Sequence, residues 1–259
     1  IHMGTNEVSG DEDWIMSAYG EMIELIRKYQ PDSLIVVHGM LSVSYKVLAS
    51  HSYMHVANIN SLNECFREMT EQDKNMVYIF LADGFEEVEA LAVIDVLRRA
   101  GVDVTTVSIS DDKLVTGSHT IPIMADAFFD DIKDSDAHLY FLPGGLGGTN
   151  NLGAHEDLCN LLVEKFKEGR HISAVCAAPS VLGKLGILNG KRATCYPGFE
   201  EYLEGATVLT SDRSVRVVTD GNVTTSRGMG TSIELGLELS AILVGKEVAD
   251  NLATAIQHI

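Results

Sequence analysis

Basic residues are scarce. The 259-residue chain carries 19 Lys and Arg against 37 Asp and Glu, a formal net charge of -18. Nucleic-acid phosphates call for a basic face, so this balance argues against a nucleic-acid partner. It argues equally against docking on an anionic membrane. Long apolar runs are also missing. The longest aliphatic stretches are of the kind Leu34-Ile35-Val36-Val37, far short of the ~20 residues of a spanning helix. No basic segment followed by an apolar core marks a secretory signal. Cysteine is sparse too: Cys65, Cys159, Cys176 and Cys195, with no C-x-x-C pair. That leaves out a zinc knuckle and a dithiol redox motif. Free thiols without an export signal fit a reducing compartment, and the cytoplasm is the expected location. Internal repeats and low-complexity tracts are lacking.

What is present is an ordinary globular composition, 46% hydrophobic and 22% charged. The length allows one large domain, or one medium domain with an appendage. Two parts are legible. Residues 1–74 read as a small N-terminal α/β extension of unknown role. It has an acidic start (Glu7 to Asp13), a helix-like run from Trp14 to Tyr29, a short strand from Ser33 to His38 and a second helix from Asn60 to Gln72. His51-x-x-x-His55 has the spacing of two ligands on one helical turn, but no acid accompanies it, so no metal is expected.

Residues 75–259 form the second part, with a regular rhythm. Short apolar runs (Val77–Ala82, Val102–Ile109, His138–Leu142, His171–Val175) alternate with helical stretches (Phe85–Ala100, Glu156–Lys167, Ala177–Leu185). Leu114-Val115 and Thr120–Ile123 flank a Gly-Ser turn and predict a hairpin. Short strands follow at Val208–Thr210, Val215–Thr219 and Val223–Thr225, then closing helices at Thr231–Val244 and Glu247–Ile256. Alternation of this kind predicts an α/β sandwich around a mostly parallel sheet.

Three features could carry chemistry. Cys176 follows the apolar strand Ile172-Ser173-Ala174-Val175 and precedes the small residues Ala177-Ala178-Pro179-Ser180. A side chain there sits at the carboxyl end of a strand, where open α/β sheets place ligands, and beside a helix N-terminus, which favours a thiolate. The plain alternative is a packed core thiol. Second, winding Phe85–Ala100 as a helix puts Glu86 and Glu89 on one face with Val93, Val96 and Leu97, and Glu87 on the opposite side near Arg98. A carboxyl on a core-facing stripe is costly unless partnered; burial would keep it protonated and able to carry a proton. For Glu86 the alternative is pairing with the helix N-terminus. Third, Pro143-Gly144-Gly145-Leu146-Gly147-Gly148 lies between a strand and a helix. Its glycines allow backbone N–H groups to approach an anion or oxyanion, although it matches no phosphate-loop or dinucleotide fingerprint.

These features, with Asp83-Gly84-Phe85-Glu86-Glu87-Val88-Glu89-Ala90, Asp95-Val96-Leu97-Arg98-Arg99-Ala100-Gly101, Leu142-Pro143-Gly144-Gly145, Ala174-Val175-Cys176-Ala177-Ala178-Pro179, Tyr196-Pro197-Gly198 and Thr225-Ser226-Arg227-Gly228, resemble the DJ-1/ThiJ branch of the DJ-1/PfpI superfamily over residues 76 to about 256. The resemblance implies a flavodoxin-like three-layer sandwich and a homodimer. It makes Cys176 the elbow nucleophile and Glu89 the protonated glutamate beside it. Gly144, Gly145 and Ala177 would form the oxyanion pocket, with Glu86, Asp95, Tyr196 and Arg227 in support. It further implies glyoxalase-type or deglycase-type chemistry on small reactive carbonyls, without a cofactor. An oxidative-stress sensor or chaperone, with Cys176 oxidised to sulfinate, is the second reading; a PfpI-like amidase or protease is the third. Two departures weigh against proteolysis. Tyr196 stands where some members carry a histidine before the proline, and Ala177 stands where PfpI-type proteases carry one after the cysteine. Cys195, beside Tyr196, reads as a spectator or as a resolving thiol.

Overall fold

The computed structural model describes residues 75–258; the expectations for residues 1–74, among them His51, His55 and Cys65, lie outside the described residues. Strand β1 (Met76–Leu81) shows how the sequence builds the layers. Its side chains alternate between faces, as the pleat requires. Val77, Ile79 and Leu81 join one apolar cluster, and Tyr78 and Phe80 join the other. Strand β6 (Leu139–Leu142) divides in the same way, with Leu139 and Phe141 on the first side and Tyr140 and Leu142 on the second. Such strands are apolar throughout because both faces are covered. Burial of each large side chain contributes roughly 1.5–3 kcal/mol.

The first face is covered by α1 (Glu87–Arg99) and, later in the chain, α6 (Ser232–Val244). They approach closely: a Cβ on Gly236 would stand 2.8 Å from Val96 Cβ. The second face is covered by α3 (Leu146–Ala154), α4 (Glu156–Lys167) and α5 (Pro179–Lys184). The predicted hairpin is present as β3 (Leu114–Thr116) and β4 (Pro122–Met124), antiparallel. The remaining elements are β2 (Asp103–Ser108), β5 (Ala127–Phe128), α2 (Phe129–Ile132), β7 (His171–Val175), β8 (Arg192–Ala193), β9 (Thr207–Val208), β10 (Val217–Asp220), β11 (Val223–Ser226) and α7 (Lys246–Ala255).

The main sheet runs β10-β11-β7-β6-β1-β2-β5. Every neighbouring pair is parallel except β10 with β11. From β1 the chain builds outward to β2 and β5, then returns to place β6 on the other side of β1. Strand order therefore reverses between β1 and β6, and the crevice beyond their carboxyl ends is where such sheets take ligands. Among the described residues no helix is long and apolar enough to cross a membrane.

Two elements differ from the sequence reading. Residues 146–148, read as the end of a glycine loop, open helix α3. Glycine weakens a helix by about 1 kcal/mol per residue, but here it permits contact, since a Cβ on Gly148 would lie 2.6 Å from Phe85 Cα. The strand expected at Val208–Thr210 is shorter, and pairs with β8 in a separate two-stranded sheet.

Candidate active site

Three parallel strands deliver the site. Beyond β1 the chain turns through Asp83–Glu86 into α1; beyond β6 comes Pro143-Gly144-Gly145; beyond β7 comes Cys176. Cys176 has φ +62°, in the left-handed region that a side chain rarely adopts. Its backbone is held from both sides: its N–H donates to Ser226 O (3.0 Å), and its carbonyl accepts from Tyr196 N (2.8 Å). Strain of this kind persists only where the surroundings impose it. The effect is to lift a half-buried sulfur off the sheet edge toward the glycine turn.

Glu89 meets that sulfur. It is 1% exposed and lies in the first turn of α1. Its Oε2 accepts from Gly144 N at 3.0 Å; its carboxyl also accepts from Met229 N–H and from the Cys176 thiol. The backbone N–H groups of Gly145 and Ala177 lie close enough to the Cys176 sulfur to pull its pKa down. Burial pushes the Glu89 carboxyl up, and the neighbouring Glu86 adds to this; the thiol and the two N–H donors offset part of it, leaving a value of about 7. Burial, with the Glu89 charge and hydrogen bond, pushes the Cys176 thiol up to about 12, although the two N–H donors oppose it. Both groups are thus pushed toward their protonated forms by burial and by each other, so the pair retains a proton at neutral pH. A free thiolate favoured by a helix N-terminus, as expected from the sequence, is not what this environment produces at rest: desolvation outweighs the two donors, and α5 is only a short helix beginning at Pro179.

The glycines are required by space. A Cβ on Gly144 would collide with Glu89 Oε2 and stand 2.6 Å from Cys176 Cβ. Gly145, at φ +87°, packs against Gly84 O, and a Cβ there would lie 2.6 Å from Glu86 N.

The supporting residues divide. Glu86 caps α1, its carboxylate accepting from Glu89 N at 2.7 Å; the helix-terminus alternative is the one observed. Tyr196 binds the Cys176 carbonyl through its own N–H, and its ring comes near the site. Arg227 reaches away to Thr210 O at 2.6 Å and Asp212 O at 3.2 Å, bracing the segment that leads to Gly228. Asp95 is a correction: it lies exposed on the outer face of α1, paired with Arg99 at 2.6 Å, and does not reach the site. It stands six residues beyond Glu89, about 120° round the helix from it, which points it to solvent. Cys195 is fully buried with its sulfur 3.4 Å from Thr210 Oγ1, so desolvation raises its pKa and it packs as a core thiol. A resolving role finds no support in that position.

Glu87 is a second correction. It does not face solvent beside Arg98 but is 3% exposed under the β3–β4 hairpin. His119 N donates to Glu87 Oε1 at 2.6 Å, and His119 Nδ1 and Ser118 Oγ lie 3.0 and 3.2 Å from Oε2. The hairpin is pinned further by Ser118 N to Phe85 O (2.7 Å) and Gly84 N to Thr116 O (2.8 Å). Helical winding alone could not foresee a hairpin folding over that face. Glu86, Glu87 and His119 each bring one ligand atom within 4.8 Å of the others. The Glu87 oxygens already accept three hydrogen bonds, so the cluster serves as a latch. Two hollows, about 410 and 290 Å³, lie past the ends of β1 and β2 around Ile109, Ser110 and His155; Cys176 and Glu89 line neither.

Sequence reasoning missed Met229 and His119. Met229 contributes a backbone N–H, which leaves no mark on residue type; His119 becomes a partner only because the hairpin returns to α1.

A sheet wound in both directions, with a strained cysteine at the carboxyl end of an inner strand, defines a class: flavodoxin-like α/β proteins built around an elbow cysteine. Residues 75–242 match the DJ-1/PfpI family. The chain belongs to the DJ-1/PfpI family, in its DJ-1/ThiJ branch. It is 44% identical over 181 residues to protein DJ-1 homolog A of Arabidopsis thaliana, covering 70% of this chain and 46% of the relative. It is 37% identical over 178 residues to protein dj-1beta of Drosophila melanogaster, covering 69% of this chain and 94% of the relative. The chain spans less than half the length of the two Arabidopsis relatives, 46% and 39%. Among solved structures, Drosophila DJ-1beta superposes with a TM-score of 0.69 at 35% identity, covering 72% of this chain and 99% of that one. A DJ-1 superfamily protein from Salmonella typhimurium superposes with a TM-score of 0.68 at 30% identity, covering 71% and 99%.

Proposed function

We propose that the protein is a cysteine-dependent enzyme that converts small 2-oxoaldehydes to 2-hydroxy acids, with deglycation of the related adducts as an allied activity. The carrying observation is the strained elbow of Cys176, at φ +62°, facing the buried Glu89 carboxyl across the glycine turn. A relative from Pyrococcus abyssi, 30% identical over 154 residues and covering 60% of this chain and 90% of its own length, bears the name deglycase.

The chemistry follows from the proton that Glu89 and Cys176 retain. As the Cys176 sulfur adds to the aldehyde carbon, the thiol proton passes to Glu89. The carbonyl oxygen becomes an oxyanion held by the N–H groups of Gly145 and Ala177. Glu89 returns the proton to that oxygen, giving a hemithioacetal, and becomes a carboxylate. It then removes the hydrogen from the former aldehyde carbon as a proton and delivers it to the neighbouring ketone carbon through an enediol, while the hemithioacetal hydroxyl proton passes to the ketone oxygen. The first carbon is now oxidised to a thioester and the second reduced to an alcohol, so no external oxidant or cofactor is needed. Water hydrolyses the thioester, releasing the hydroxy acid and restoring the thiol. The competent pair holds one proton, so kcat/KM rises as pH passes about 7. The test is formation of lactate from methylglyoxal without glutathione, abolished in Cys176→Ala.

The same donors favour a second reading, a redox sensor or stress chaperone: the two N–H groups and a protonated Glu89 would hold the oxygens of a Cys176 sulfinate. A solved relative from Toxoplasma gondii, 30% identical with a TM-score of 0.65, is described as oxidised. No turnover, with gain of two oxygens on Cys176 under mild peroxide, would favour this reading. The third, an amidase or protease, lacks a histidine at positions 177 and 196 to activate the sulfur.

The protein acts as a homodimer in the cytoplasm. Val88 and Leu91, exposed on one face of α1, support a buried contact between copies, and the free thiols Cys159, Cys176 and Cys195 support a reducing compartment. Mass under native conditions tests the first, and fractionation tests the second.

A further inference from the structure

An aromatic ring borders the reacting sulfur. Tyr196, Glu89 and Cys176 converge around Gly228: a Cβ placed there would lie 3.4 Å from Tyr196 Cδ2, 3.5 Å from Glu89 Oε1 and 3.7 Å from Cys176 Sγ. The tyrosine ring therefore borders the space directly over the sulfur. Met229 follows Gly228, which lies against Tyr196, Glu89 and Cys176, while Leu146 follows Gly145 in the glycine turn. The side chains of Leu146, Met229 and Tyr196 are 63%, 56% and 52% exposed. Tyr196 borders the sulfur, and Leu146 and Met229 directly follow residues of the glycine turn and of the Gly228 segment; exposing three such large apolar side chains costs free energy that an apolar ligand would recover.

Among the described residues, Arg227, Arg216 and His119 are committed elsewhere. Arg227 binds Thr210 O and Asp212 O. Arg216 binds Glu234 Oε1 and Gly230 O, and His119 is taken by Glu87. The titratable side chains turned to the reacting sulfur are carboxyls, Glu89 with Glu86 behind it. The whole chain carries a net charge of -18, so an anion approaches against the field.

We propose that the mouth of this site selects neutral 2-oxoaldehydes bearing an apolar or aromatic substituent and rejects anionic ones. The proposal rests on the carbonyl reading above and narrows it: Cys176 and Glu89 act on the dicarbonyl, and Tyr196, Met229 and Leu146 hold the substituent. An aromatic ring on the substrate stacks against Tyr196 and covers Met229.

The experiment compares kcat/KM for phenylglyoxal, methylglyoxal and the anionic 4,5-dioxopentanoate with the full chain. Phenylglyoxal exceeds methylglyoxal by at least about tenfold, as burial of a ring's apolar area predicts, and 4,5-dioxopentanoate falls about tenfold or more below it. Tyr196→Ala brings the phenylglyoxal-to-methylglyoxal ratio toward one, while Tyr196→Phe keeps it, because the ring and not the hydroxyl makes the contact. Turnover of all three substrates with similar kcat/KM overturns this proposal and leaves the carbonyl reading standing. Absence of turnover overturns the carbonyl reading instead. A second measurement then decides the mouth by itself: the rates at which Cys176 is alkylated by N-phenylmaleimide against N-ethylmaleimide and by iodoacetamide against iodoacetate, each normalised to free cysteine and mapped by peptide mass. Faster reaction with the aromatic and the neutral reagent upholds the selectivity; equal or reversed rates refute it.

Discussion

Glu87 and Glu89 stand two positions apart on one helix, 3% and 1% exposed, yet one carboxyl sits at about 2 and the other at about 7. Burial raises both. At Glu87 it is overcome by the His119 side chain and by backbone donors, His119 N–H among them. At Glu89 the donors are fewer, Glu86 adds repulsion, and the strongest hydrogen bond comes from a thiol that must itself be kept neutral. Desolvation sets the direction of the pressure, and the number and charge of the donors decide which form survives. The first carboxylate locks a hairpin; the second is left able to exchange a proton near neutral pH.

The comparison can be broken at its reactive end first. Replacing Cys176 by Ala removes the nucleophile, and turnover of methylglyoxal falls to background in a lactate assay. Gly144→Ala comes next: the new methyl occupies space held by Glu89 and Cys176, so turnover drops by about 10²-fold or more, and the thermal midpoint falls as well. Third, Glu89→Gln lowers kcat/KM by about 10²–10⁴-fold, and the inflection near pH 7 disappears from the pH profile. This variant also tests linkage. The Glu89 carboxyl is raised from 4.5 to about 7 in the folded protein, so its contribution is full below pH 4.5 and is lost as pH rises through 7. Native protein should lose stability over that window by on the order of 3 kcal/mol, measured by urea unfolding, and Glu89→Gln should not.

The latch gives smaller effects. Glu87→Ala leaves three hairpin donors without their acceptor and costs roughly 2–3 kcal/mol in urea unfolding, with the Cys176 alkylation profile unmoved. An equal shift in that profile would show that the two carboxyls are one unit rather than two. Last, the latch has its own pH window. Glu87 is lowered from 4.5 to about 2, so its contribution is present above pH 4.5 and is lost as pH falls through 2. His119 is raised above 6.5 by its hydrogen bond to Glu87 and the charge there, so its contribution is present below 6.5 and fades as pH rises through its folded value. Hydrogen-exchange protection of residues 117–120, corrected for intrinsic rates, is greatest between those limits.

Much of this was readable before any coordinates. Alternating short apolar runs and helices give the parallel sheet, because a strand covered on both faces must be apolar throughout. The small residues after Cys176 mark the elbow, and helical winding places Glu89 inward. The same winding misplaced Glu87, since a wheel shows which residues share a face and not what covers it; it does set Asp95 off the Glu89 face, and Asp95 entered only through the resemblance. Helix α3 was hidden by Gly147 and Gly148, whose weak propensity is overridden by close packing on Gly84 and Phe85. Met229 stayed invisible because it acts through its backbone.

Local order along the chain thus determined the layers, the elbow and the inward glutamate, for these follow from periodicities of two and 3.6 residues. Tertiary structure alone decided which carboxylate is charged and which retains a proton. The deciding donors lie far along the chain, Gly144 at 55 positions from Glu89 and His119 at 32 from Glu87, and no local pattern records a partner at that separation.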